Sequence, residues 1–286
     1  MADTSATPST RFELARALKT NLVDRQSARL LFTHGGLLLR VVRNDLRARY
    51  AGSLLGIAWS VITPLLILGI YAAVYLFVFK IQRVAGLSPF QYVMFIFSGL
   101  VPFLATGEAL SVGTTSVIAD KALLTNTVFP IDLVPLKPVL TSQVVMLVGM
   151  IVLVSGLGLT GDLHWTVALV PALWLGQILA LSGINWVLSL LNVVFRDLQN
   201  LISAILMILL VGSPIAYTPS MVPEQLQSLV NLNPFAYYVI GYQKLLVLGE
   251  LPSPLQAGVI AGLSLGLFTL GSWFFPRAKR VLIDYV

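Results

Sequence analysis

Between Asp162 and Glu224 only two residues carry a charged side chain, the adjacent pair Arg196 and Asp197. Long charge-free stretches of this kind recur along the chain and constrain its fold more than any motif does. A bilayer core about 30 Å thick needs about 20 apolar residues in a helix. Runs of that length cover 54–79, 92–119 (with one Glu), 138–159, 198–217 and 255–275. A sixth, 165–194, is interrupted only by polar residues that a packed bundle tolerates, such as Gln177 and Asn185. The chain is 57% apolar and 10% charged, where soluble domains carry about 25% charged residues. So few charges cannot clothe a water-soluble surface, and the expected class is an all-α polytopic membrane protein.

Basic residues set the expected topology, because cytoplasmic loops collect Lys and Arg. Nine precede the first run and three, Arg277, Lys279 and Arg280, follow the last. Cytoplasmic placement of both ends requires an even number of spans, and six spans also put Lys121, Lys137 and Arg196 inside. The segment 226–248 is apolar but carries Asn231, Asn233, Pro234, Gln243 and Lys244. As a seventh span it would export the basic C-terminus, so it is expected to dip into the outer leaflet and return. The stretch "NVVFRDLQN" then becomes a cytoplasmic turn, where Arg196 and Asp197 cost far less than at the bilayer centre. The N-terminus lacks a 7–15-residue apolar core of the signal-peptide kind, so the first run is expected to act as an uncleaved anchor.

The expected organisation is a cytoplasmic tail (1–34), an amphipathic interface helix (35–53) and a transmembrane domain (54–286). In the interface segment Leu38, Val42 and Leu46 fall four apart, with Arg40, Arg43, Arg47 and Arg49 on other faces. That pattern suits a helix lying on acidic headgroups.

Phosphate-loop and zinc-protease motifs are missing. Gly-Lys, the core of a phosphate-binding loop, does not occur, nor does His-Glu-x-x-His. There is no cysteine, which excludes disulfides and thiolate chemistry. His34 and His164 are too far apart in sequence to suggest a ligand cluster. A proton-coupled carrier would place ionisable groups at mid-membrane, and the only candidate is Glu108, expected either to face a polar channel or to snorkel to the inner interface. Between the second and third spans, "ADKALLTNTVFPIDLVPLKP" carries three prolines that limit continuous helix and reads as a connector or a docking elbow. Phe235, Tyr237, Tyr238 and Tyr242, with Tyr71, Tyr75, Phe77 and Phe79, read as an interfacial aromatic belt or as apolar faces for sugars.

Five segments in order, "RNDLRARYAGSLLGIAWSVITPLL", "FSGLVPFLATGEALSVGTTSV", "KALLTNTVFPIDLVPL", "LNVVFRDLQNLI" and "SPIAYTPSMVPEQLQSLVNLNPFAYYVIGYQ", resemble the membrane subunits of ABC type-2 exporters of lipid-linked polysaccharide. The resemblance implies a homodimer with six spans per protomer and re-entrant outer helices between spans five and six. It implies a bacterial inner-membrane location and a channel for an undecaprenyl-diphosphate-linked glycan. It also implies two copies of a separate ATPase that hold ATP and Mg, with no cofactor in this chain and no nucleic-acid partner. Arg40, Arg43, Arg47, Arg49, Lys121, Arg196 and Asp197 become candidates for lipid-head or ATPase contact, and the aromatic rings and Glu108 for the channel. Exporters of a drug or simple lipid, and an ATP-independent carrier or scaffold, are the rival readings.

Overall fold

The computed structural model describes residues 27–74, 86–121, 129–218 and 221–282. Every regular element among them is helical. The helices are α1 (Ser27–Arg49), α2 (Trp59–Ala73), α3 (Pro89–Ala119), α4 (Leu136–Thr160) and α5 (Val170–Val194), then α6 (Leu198–Gly212), α7 (Glu224–Leu232), α8 (Pro234–Gln243) and α9 (Pro254–Leu282).

Helix α3 is the hub. Pro89 opens it, and Ser88 caps it reciprocally with Gln91: the Gln91 N–H donates to the Ser88 hydroxyl and the Ser88 N–H to the Gln91 side chain. Such a box satisfies two of the orphan amides at a helix start. From Tyr92 to Leu100 every residue is buried, as expected of a helix that is apolar all round. Helices α4, α5, α6 and α8 pack around it.

The closest crossing is between α5 and α9, and it is made by small residues. A Cβ added at Gly183 would lie closer than 3.0 Å to the backbone of Leu267 and Phe268, and one at Gly271 would meet the backbone of Gly183. One heptad away, Gly176 faces the Ser264 hydroxyl. Without a hydrophobic force between helices in lipid, such small residues let backbones approach and gain dispersion contact.

Several helix limits differ from the sequence expectation, each for a local reason. Helix α1 begins at Ser27 and ends at Arg49, earlier than 35–53 at both ends. The run 198–217 yields a helix that stops at Gly212, because Ser213 turns to an extended conformation ahead of Pro214. Its 15 residues measure about 22 Å. At the first span, the helix starts at Trp59 after a tight turn over Gly56–Ala58, and residues 75–85 lie outside the described set. Pro138 sits in the first turn of α4 and is absorbed there, since a proline near a helix start breaks no bond. Helix α9 runs through Pro276 to Leu282. Among the described residues, four helices are long and apolar enough to cross a membrane, while α6 is a shorter apolar helix and α2 is described only as far as residue 74.

The stretch "NVVFRDLQN" is a tight turn between α5 and α6, closed by the Leu198 N–H on the Phe195 carbonyl at 3.0 Å. Arg196 and Asp197 are exposed there and form no buried ion pair. The segment 226–248 breaks at Asn233, whose side chain accepts from the Phe235 and Ala236 amides and so starts α8. Tyr92 donates to the Ala216 carbonyl before that segment, and Thr166 to the Leu245 carbonyl near its end. Both flanks are thus fixed at the end of the bundle where α3 and α5 begin. Outward faces of α4, α6 and α9 stay apolar: Ile151, Met207, Ile208, Val211, Leu265 and Trp273 are all more than half exposed.

Candidate functional site

The opposite end of the bundle gathers the charges. Asp132 lies in the short turn Ile131–Leu133 and is fully buried. Its carboxylate accepts from Lys279 Nζ of α9 at 2.5 Å, with side-chain exposures of 3% and 1% for the Lys and the Asp. Its backbone carbonyl accepts from the Trp186 indole of α5 at 2.8 Å. Lys137, at the start of α4, donates to Asp120 at the end of α3 (2.6 Å) and to Asp45 of α1 (3.3 Å). These contacts join six elements, α1, α3, α4, α5, α9 and the Ile131–Leu133 turn. None of these pairs is visible as a local motif; the available signal was a charge embedded in apolar sequence, as in "FPIDLVPLKP".

A second feature lies where α1 ends. Arg49 Nη1 donates to Glu108 Oε1 at 2.6 Å, across 59 residues of sequence. The pair stands at a cavity of about 250 Å³ between α1, α2, α3 and α4, with Tyr50, Trp59, Ser60 and Thr63 in its wall. Partial burial works against the Arg49 charge. The hydrogen bond and attraction of Glu108, with smaller contributions from Tyr50 and Asp45, outweigh it and hold the guanidinium above its ordinary pKa. Glu108 is thus paired with Arg49 in the wall of this cavity.

The other anticipated residues divide. On α1, Arg40, Arg43 and Arg47 are exposed while Leu38 and Val42 are buried, so the helix is amphipathic as expected. Lys121 is exposed just past α3. The aromatic residues do not form one surface. Tyr242 is fully buried and donates to Gln177 Oε1 at 2.8 Å, and Gln177 in turn donates to the Pro102 carbonyl and the Thr106 hydroxyl. Tyr238 shares a 2.7 Å hydrogen bond with Ser264, and Phe235 is buried near Leu206. These three rings are core, the two tyrosine hydroxyls are satisfied by neighbouring helices, and in this conformation the rings offer no face to a sugar. Tyr237 is half-buried and donates to the Asn231 carbonyl; Tyr71 is half-buried against the main core. Tyr75, Phe77 and Phe79 lie outside the described residues.

Among the described residues no cluster of three or more metal-ligating side chains occurs. A bundle of apolar helices, one charged end and an amphipathic helix beside it fit an α-helical polytopic membrane protein. Residues 37–247 match the ABC-2 type transporter family, and the chain belongs to it. It is similar to the O-antigen export system permease protein RfbA of Klebsiella pneumoniae, at 32% identity over 75% of this chain and 82% of that protein. It is similar also to the permease of that name from Myxococcus xanthus, at 29% identity over 90% of this chain and 98% of its relative.

Proposed function

We propose that this chain is the channel-forming membrane subunit of an ATP-driven exporter that moves lipid-linked, O-antigen-like polysaccharide across a bacterial inner membrane. The observation that carries the reading is its similarity to an O-antigen export permease along nine-tenths of its length. Two copies form the pore, and two copies of a separate ATPase supply the energy and hold ATP and Mg. The substrate is an undecaprenyl-diphosphate-linked glycan. Six spans per protomer are completed by α2 and α6, and a bilayer accommodates the short α6 by local thinning. The end bearing α1, Lys137, Arg196 and Lys279 faces the cytoplasm, a placement supported by the clustering of basic residues. The segment carrying α7 and α8 is the re-entrant outer element, supported by the anchoring of both its flanks at the other end.

On this topology α1, Lys121 and the Arg196–Asp197 turn share the side from which an ATPase would act, and the Lys137 and Lys279 ion pairs would pass its movement to α3, α4 and α9. Purification of the tagged chain from its own membranes is expected to bring down an ATPase subunit in equal amount. Deletion of its gene is expected to remove glycan from the cell surface while lipid-linked glycan accumulates inside. A chain that purifies alone, from cells whose surface glycan survives the deletion, would contradict the proposal. Loss of lipid or drug efflux instead would favour the simpler ABC-2 exporter.

A further inference from the structure

We propose that the cavity at Arg49 binds the phosphate head of an amphiphile, and that Glu108 is a displaceable internal stand-in for that phosphate. The contrast between two ion pairs of the same chain carries the argument. Lys279 and Asp132 are sealed from solvent, at 3% and 1% exposure, whereas Arg49 and Glu108 keep 35% and 23%. A sealed pair is an internal fastening, but an anion can reach the second pair. Glu108 engages Arg49 through one Nη1–Oε1 bond, while a guanidinium carries five N–H donors in a fork suited to two phosphate oxygens. A phosphate offers more charge and more acceptors than a single carboxylate and can take its place.

The cavity has the matching size and character. Its volume of about 250 Å³ holds the equivalent of roughly eight waters, enough for a phosphate or diphosphate and too little for a glycan. Ser60, Thr63 and Tyr50 supply hydroxyls in its wall, and Leu46, Ile67 and Val144 line the rest. The same face of α2 continues from Trp59 through Leu66 and Ile70, each more than one-third exposed, along which an acyl or prenyl tail can lie. A polar end with a cation next to an apolar outer strip fits an amphiphile better than free inorganic phosphate. The inference deepens the export reading, on which it rests only for one of its two phosphate sources, a prenyl-diphosphate-linked lipid. The other source is an anionic phospholipid.

Trp59 in the wall provides the readout. The purified full-length chain in neutral detergent is titrated with farnesyl diphosphate, with dioleoylphosphatidylglycerol and with farnesol. The Trp59 signal is isolated by subtraction of a Trp59→Phe protein. Removal of the internal competitor in Glu108→Gln is expected to tighten binding of a phosphate amphiphile by about two- to fivefold, with farnesol unchanged. Arg49→Gln is expected to weaken binding by about tenfold or more. Thr63→Phe, which fills the cavity, leaves the ion pair intact and adds no second indole, is expected to abolish the signal. Tightening with farnesyl diphosphate alone identifies the prenyl diphosphate as the occupant, and tightening with both identifies any phosphate lipid. Equal affinity of Glu108→Gln and the parent for both phosphate amphiphiles, or undiminished binding by Arg49→Gln, would overturn the proposal. Neither ATPase nor glycan enters the assay. Surface glycan that survives gene deletion would therefore count against the export reading while leaving the cavity's ligand in place.

Discussion

Gly183→Leu is expected to destabilise the folded protein severely, whereas Gly262→Leu, at an exposed position of α9 five residues before Leu267, is expected to leave it intact. At Gly183 the obstruction is the α9 backbone itself, the Leu267 carbonyl and the Phe268 amide, within 3.0 Å of where a Cβ would stand. A backbone cannot rotate aside as a side-chain tip can, so α5 and α9 must separate. Their separation would also loosen the Gly176–Ser264 contact and, through Ser264, the Tyr238 hydrogen bond. Overpacking alone costs about 1–3 kcal/mol, and the lost crossing adds to it, so a destabilisation of about 3 kcal/mol or more is expected. At Gly262 nothing lies within 4 Å of an added Cβ, and leucine is the better helix former by about 0.8 kcal/mol. Thermal melting of the detergent-purified proteins, read by the loss of the monodisperse peak on gel filtration, separates the two. Equal melting temperatures would show that α5 and α9 do not meet backbone to backbone at this point.

Lys279→Met is expected to destabilise the chain nearly as severely, and Asp132→Asn in the same molecule to restore most of the loss. The single change leaves the Asp132 carboxylate buried with its cation removed, and a buried charge stripped of its partner typically costs about 3–5 kcal/mol. Removal of both charges replaces a pair whose attraction was largely offset by its desolvation, which is often near neutral. The double variant should therefore melt close to the parent, and a double-mutant cycle on the same assay reads the difference. If the double variant were as unstable as the single one, the Lys279–Asp132 contact would not be what holds α9 to the Ile131–Leu133 turn.

The architecture was legible in sequence wherever it followed from local composition. Apolar runs about 20 residues long announced α3, α4, α5 and α9, since a bilayer leaves such a run few alternatives to a helix. The four-residue spacing of Leu38, Val42 and Leu46 announced α1. Placement of Arg196 and Asp197 in a turn followed from the high cost of charge at depth. Helix limits were harder, because a proline acts by position: Pro214 follows the end of α6, while Pro276 is accommodated within α9.

What local reading missed is the set of contacts between distant segments. Arg49 and Glu108 are 59 residues apart, and Asp132 and Lys279 are 147 apart. No spacing rule relates such residues, because the tertiary packing alone brings them together. The tyrosines show the same gap from the other side. Tyr238 and Tyr242 fall one helical turn apart, a pattern shared by an aromatic belt, a channel lining and a core stripe. Their hydroxyls are satisfied by Ser264 and Gln177, residues of other helices, so burial was decided outside the segment that carries them.

The most direct test reconstitutes the chain with its co-purified ATPase in liposomes containing lipid-linked glycan on the outer leaflet, oriented so that the ATPase faces the bath. ATP and Mg should carry the glycan into the lumen, where it becomes protected from an added glycosidase. Omission of ATP, or of this chain, should leave the glycan digestible. Protection that develops without ATP, or that fails to develop with ATP although the chain and ATPase are assembled and hydrolysing, would contradict a role as the permease of an ATP-driven polysaccharide exporter.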